Sequence, residues 1–318
     1  MRRELLKFAL FSALVLTVPA LVKGGYLLNV LVFVGINTML AVALNLLLGF
    51  AGQISLGQAA FYGLGAYLSG VLTTTHGWNP WTALCAAAVA VGLLAFVIGL
   101  PILKLKGHYL AMATLGFGII VFIVFNEYVD VTGGPSGFPG IPGMQIGDLR
   151  FDSDLKSYYL IWGMALLVIL LAVNLTQSRI GRALRAIHDS EVAARVLGVN
   201  ARLLKVQVFT CSAVISCVAG SLYAHTVTFI SPSTFGFHFS VELLTMVIIG
   251  GLGSIYGSCL GAALLTLLPE FLRTFQDYDI VVYGLLLILM TMFLPGGLVQ
   301  GGEIVWRWLR QLWPGKAG

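Results

Sequence analysis

Long apolar runs, each closed by a few polar or glycine-rich positions, dominate the chain. A helix needs about 20 apolar residues to cross a bilayer. By that measure ten segments stand out: 8–22, 26–49, 54–75, 81–103, 109–129, 158–176, 206–226, 240–253, 255–272 and 280–298. The first and eighth are short. Only the run Gly250–Gly253 separates the eighth from the ninth, so either is re-entrant or broken. The pattern predicts an all-α, polytopic membrane helical bundle, read as one domain over residues 1–318.

Composition points the same way. Hydrophobic residues make up 58% of the 318, charged residues only 10%, and the mean hydropathy is +0.95. A soluble domain carries about 25% charged residues and could not cover so much apolar surface. The 38 glycines suit close helix packing in lipid. The net charge of +5 raises the question of nucleic acid, but the basic residues lie between apolar spans, not in one patch. Cys85, Cys211, Cys217 and Cys259 all sit in apolar runs without a CxxC pair, which leaves no metal or redox motif.

The basic residues set the orientation. With the N-terminus inside, the cytoplasmic stretches hold 14 of the 18 lysines and arginines, and the outside keeps Lys23, Arg150, Lys156 and Arg273. The positive-inside rule therefore places both termini in the cytoplasm. Arg2, Arg3 and Lys7 before an apolar run resemble a signal peptide, but no small-x-small cleavage site precedes Lys23, so a retained first helix is preferred.

Two connections are long. The outer one, about 130–157, is rich in proline and glycine and predicts consecutive turns. The inner one, 177–205, has no proline and many charges, and predicts one or two short helices. In it, Arg185 with Asp189 and Glu191 with Arg195 are spaced to pair on a helix, Ile180, Leu184 and Ile187 form an apolar stripe, and Gly198 and Asn200 read as stops. Two readings stand side by side: a helix that docks on a cytoplasmic partner, or a basic helix lying on anionic lipid.

This inner loop resembles the ATPase-coupling loop of the branched-chain amino acid ABC transporter permeases. Leu44–Phe61 (LNLLLGFAGQISLGQAAF), Tyr109–Leu115 (YLAMATL) and Gly250–Ser254 (GGLGS) resemble other segments of that family. The likeness runs from about residue 35 to 300 and is nearer to the larger of the family's two paired permeases. The resemblance implies a second permease subunit, two cytoplasmic ABC ATPases that bind the ATP, and an external substrate-binding protein. It also implies a bacterial inner membrane and a cargo of leucine, isoleucine and valine, or urea and short amides as in close relatives. Within the loop it points to Arg182, Arg185, Glu191, Ala193, Ala194 and Gly198 as the coupling residues. The general EAA-xxx-G importer pattern is only partly kept, because Glu191 is displaced by one position.

Small residues recur every four positions at Gly253, Gly257 and Gly261, and again at Ser55, Ala59 and Gly63, as helix-packing ridges do. Asn37, Thr38, Asn45, Gln53, Ser55 and Gln58 are polar positions in or beside spans two and three, so they face a pathway or another helix. Glu127, Glu242 and Glu270 fall near outer ends, where an interfacial position suffices. The stretches GFAGQI and GGLGSI are alike but six spans apart, a weak internal repeat. No Walker A, HExxH or GxSxG motif occurs, so no cofactor, ATP site or hydrolase chemistry is expected on this chain. An ion-coupled secondary transporter or a membrane-embedded enzyme would need convergent charged groups that the pattern does not supply.

Overall fold

The computed structural model describes residues 2–271 apart from 22–23, 147–148 and 152, together with 284–285, 288 and 298. The tenth predicted segment, 280–298, is thus described only at those four positions, and the C-terminal tail with Arg307, Arg310 and Lys316 lies outside the described residues. Within them the protein is all-α, with four two-residue strands. Five helices are long and apolar enough to cross a membrane. They are α2 (Gly25–Asn45, continued by Leu46–Phe50), α4 (Pro80–Ile102), α5 (His108–Glu127), α7 (Asp154–Gln177) and α10 (Ala201–Val227). With them pack α1 (Arg2–Leu21), α3 (Gln58–His76), α11 (Phe237–Gly250) and α12 (Ile255–Phe271). Short helices α6 (Val129–Thr132), α8 (Arg179–Asp189) and α9 (Glu191–Val196) complete the set.

The centre of the bundle is α2. Every residue from Met39 to Asn45 is buried, and α7, α10, α11 and α12 pack on it. On the opposite side α3 and α4 pack on α10. Val89, Leu93 and Val97 of α4 and Ile120 of α5 stand exposed, as a lipid-facing surface requires.

The two glycine-rich gaps between predicted segments are both breaks in the helical backbone, and wider than predicted. The last turn of α2 widens into a π-helix at Leu46–Phe50, a form found most often at functional sites. Residues 52–57 are then non-helical, and α3 starts at Gln58 rather than 54. Likewise α11 ends at Gly250, and 251–254 form a turn before α12. Spans eight and nine are thus a hairpin of two short helices. At 14 residues, α11 is about 21 Å long, well under the roughly 30 Å hydrocarbon core.

The 130–157 connection is built of turns, as its glycines and prolines predict. It carries a 3₁₀ turn at Gly134–Ser136, β1 (Phe138–Pro139) paired with β4 (Phe229–Ile230), and β2 (Gln145–Ile146) paired with β3 (Leu149–Arg150). A buried polar chain fastens it to the bundle. Ser221 donates to Ser69 Oγ at 2.8 Å, Ser69 Oγ lies 2.8 Å from His225 Nε2, and His225 Nδ1 lies 2.7 Å from the Pro142 carbonyl. Donation from Ser69 to Nε2 and from Nδ1–H to the carbonyl satisfies the whole chain with a neutral ring.

Candidate functional site

The inner loop folds as the charge pattern predicts, into α8 and α9. Ser178 caps α8 by accepting from Ile180 and Gly181 N–H, and Ser190 caps α9 by accepting from Ala193 N–H. Gly198, at φ +83°, ends α9 in a Schellman turn: Val199 N–H donates to Ala194 O and Gly198 N–H to Arg195 O, both at 3.0 Å. Asn200 is not a second stop. It caps α10 by accepting from Leu203 N–H.

Of the proposed coupling residues, Ala194 alone is buried. It packs with Ile187 and Ala201 in a small core of the loop's own, so it is not an open seat. The expected stripe splits, with Leu184 and Ile187 buried and Ile180 exposed. Arg185 does not pair with Asp189. Its guanidinium donates to Thr176 O of α7 at 3.2 Å and lies over the ring of Phe50, in the π-turn, at 5.6 Å. Glu191 does meet Arg195, and it also accepts from Lys205 at 2.8 Å and lies 3.9 Å from Lys106. Partial burial alone raises its pKa, but the Lys205 hydrogen bond and the three cations outweigh that and hold the carboxyl below its usual range. Glu191 thereby ties α9 to the root of α10 and to the turn between α4 and α5. What α9 presents outward is Ala193 and the apolar tip Val192, Val196 and Leu197, the last two more than 80% and about 80% exposed (84% and 80%), beside the exposed Arg182 and Gly198.

The two glycine-rich breaks meet. Asn45 Nδ2 donates to Ser254 O at 2.8 Å and to Ser258 Oγ at 2.6 Å, while Gly253 N–H donates to Asn45 Oδ1 at 3.0 Å. A Cβ on Gly49 would strike Gly253 N. The similarity of GFAGQI and GGLGSI therefore marks two segments in contact, although they are far apart in sequence. Gly253 sits in the turn at φ +73°, so it does not belong to a helical ridge with Gly257 and Gly261. Those two lie on α12 and face α11, where a Cβ would meet the Gly250 and Met246 carbonyls. Ser55 is likewise outside any helix, which removes the ridge proposed through Ala59 and Gly63. Gln53 turns back on its own segment, donating to Ala51 O at 3.0 Å. Gln58 donates to Ser212 Oγ at 2.8 Å and Ser216 Oγ at 2.5 Å, joining α3 to α10. Buried Ser55 Oγ and Gln58 Oε1 have no partner among the described residues.

Between α2, α10, α11 and α12 lies a cleft of about 440 Å³, within the usual size for small-molecule sites. Aromatic rings line much of it. Tyr62 stacks on Phe239 with centroids 5.3 Å apart, and Tyr223 lies 5.5 Å from Tyr62.

The family model described as branched-chain amino acid transport system / permease component matches residues 26–291. The chain belongs to this family. Among curated members, the high-affinity branched-chain amino acid transport system permease protein LivM of Escherichia coli is 34% identical over 263 residues, 75% of this chain and 62% of that protein. LivH of Salmonella typhimurium, a permease protein of the same description, is 27% identical over 267 residues, 76% of this chain and 84% of its own length. The probable LivM of Methanocaldococcus jannaschii is 24% identical over 277 residues, 77% of this chain and 79% of that protein. The chain thus spans about 62% of the length of the first curated relatives it matches. No solved structure matches it.

For this branched-chain permease-family chain, sequence reasoning missed the cleft. Its walls come from five helices and the 3₁₀ turn Pro232–Phe235, and only the polar positions of α2 hinted at it: Asn37 lines the cleft and donates to Thr266 Oγ1 at 2.8 Å.

Proposed function

We propose that this multi-pass membrane protein is a transmembrane permease subunit of an ATP-driven importer of branched-chain or other hydrophobic amino acids. The observation that carries the reading is the α9 tip. In a chain of this family, Val192, Val196 and Leu197 stand exposed on a helix capped at both ends and anchored at Glu191 to the roots of two spanning helices. An exposed apolar patch on an anchored helix marks a protein contact. In this reading, movement of a bound ATPase passes through Glu191 to Lys205 and Lys106, and through Arg185 to the π-turn at Phe50. The whole of 1–318 acts as one permease domain, with no cofactor of its own.

The partners follow from the same reading: a second permease subunit, two cytoplasmic ABC ATPases that hold and hydrolyse the ATP, and an external substrate-binding protein. The membrane is the bacterial inner membrane. The 34% identity to LivM, against 27% to LivH of Salmonella typhimurium, supports the LivM-type place in such a pair.

Val196→Asp tests the docking surface. An aspartate on this 84%-exposed position leaves the loop's own core untouched, whereas Ala194→Trp would break that core and report only misfolding. Val196→Asp is expected to release the ATPases on purification in mild detergent and to lower leucine uptake at least about tenfold, the loss of roughly 1.4 kcal/mol of binding. Normal uptake with retained ATPases would show that α9 is not the seat and would favour the lipid-lying helix.

A further inference from the structure

One acidic group lining the cleft is left without a partner among the described residues. Glu242 lies on α11, three residues after Phe239 and so on the same helix face. Both line the cleft between α2, α10, α11 and α12. Several other polar groups of that cleft are engaged. Tyr26 donates to Glu270 at the rim, Asn29 donates to Asp154, and Asn37 donates to Thr266. No donor or cation among the described residues meets the half-buried Glu242. A half-buried carboxylate on an apolar helix is costly, and such groups are kept where they face a pathway and a counter-charge. Around it, Phe33, Tyr62, Tyr223, Phe239 and Leu265 form an apolar wall. The site therefore offers the Glu242 carboxylate, with Glu270 held by Tyr26 at the rim, and a hydrophobic surface of ligand size.

We propose that Glu242 receives the α-ammonium group of a hydrophobic amino acid while the aromatic wall of the cleft takes its side chain. An ammonium is a compact cation with three donors, matched to a single carboxylate. The nearby ring faces of Tyr62 and Phe239 suit an aliphatic chain and also attract the cation. The cleft thereby selects for an amine joined to an apolar group, and a neutral amide or urea leaves the carboxylate without its counter-charge. This rests on the permease reading and narrows its cargo.

Carboxyl labelling of the wild-type membrane complex, purified without its binding protein, gives the direct test. A hydrophobic carbodiimide is added, and modification of Glu242 is followed by mass spectrometry. Leucine is expected to slow labelling at Glu242 about tenfold or more, the order of a charge-assisted hydrogen bond. The oxo acid 4-methyl-2-oxopentanoate, which keeps the side chain and carboxylate but lacks the amine, is expected to give no protection. Equal protection by both, protection by neither, or a Glu242 that is unreactive with or without leucine would overturn the proposal. The last result would mean that a neighbouring subunit supplies the counter-charge. In the full transporter, Glu242→Gln should lower leucine uptake at least about tenfold, with Glu242→Asp recovering part of it. Should the Gln variant not assemble, the wild-type labelling decides. A wild-type transporter that carries leucine while its Glu242 is unprotected sinks only this proposal. One that carries no hydrophobic amino acid sinks the permease reading itself.

Discussion

Glu191 shows what one side chain does when the protein surrounds it with cations. It was legible as one half of an i,i+4 pair with Arg195, and that pair forms. Lys205 and Lys106 were not legible, because sequence spacing says nothing about which helix root lies beneath a loop. Its lowered pKa has a definite sign. The charged clamp stabilises the loop above the ordinary value of 4.5, and that contribution is lost as the pH falls from there through the lower folded value. Hydrogen exchange of the 191–199 amides, corrected for intrinsic rates, should therefore speed up in acid. Glu191→Gln should show the faster exchange already at neutral pH, with little further change on acidification. A wild-type loop equally protected on both sides of that window would show that the clamp does not hold α9.

Helix boundaries were read closely at α4, predicted over 81–103 and formed by Pro80–Ile102, and at the stop Gly198 after α9. Both glycine-rich breaks were legible as gaps between apolar segments, but their extent was not: α3 starts at Gln58 rather than 54, and α11 ends at Gly250 rather than 253. The small-residue signal at 253, 257 and 261 was real but misassigned. Its partner is α11 of the same hairpin, and only two of the three glycines belong to the seam. Gly257→Leu forces a side chain into the Gly250 carbonyl, and overpacking of this kind costs about 1–3 kcal/mol or more. Gly163→Leu on α7 meets nothing within 4 Å. The yield of folded protein after detergent extraction should fall sharply for the first and stay near wild type for the second; equal yields would remove the tight seam.

Across the whole molecule, orientation was read from charge alone, and the fold gives it two addresses to check. Ser136 lies exposed in the outer turns and Asp189 exposed at the end of α8. In a background free of the four native cysteines, Ser136→Cys should react with an impermeant thiol reagent outside intact cells, and Asp189→Cys only once the inner face is opened. Asp189 is preferred to Ser190, whose hydroxyl caps α9. The reverse pattern would overturn the orientation and the docking face with it. The cleft stayed illegible at this scale because its lining residues are scattered from Tyr26 to Glu270 and meet only after six elements have packed.

The hairpin also carries a consequence for how the chain enters the bilayer during synthesis. At 14 residues, α11 is too short to partition into lipid as an independent stop-transfer element. Its glycine seam has value only once α12 has emerged, and the turn between them is held by Asn45, made some two hundred residues earlier. Biogenesis must therefore be ordered, with α2 already in place as a template before the pair is released from the insertion machinery. A substitution at Asn45 would then show itself first as slow or aborted insertion of the downstream helices, ahead of any defect in the finished protein.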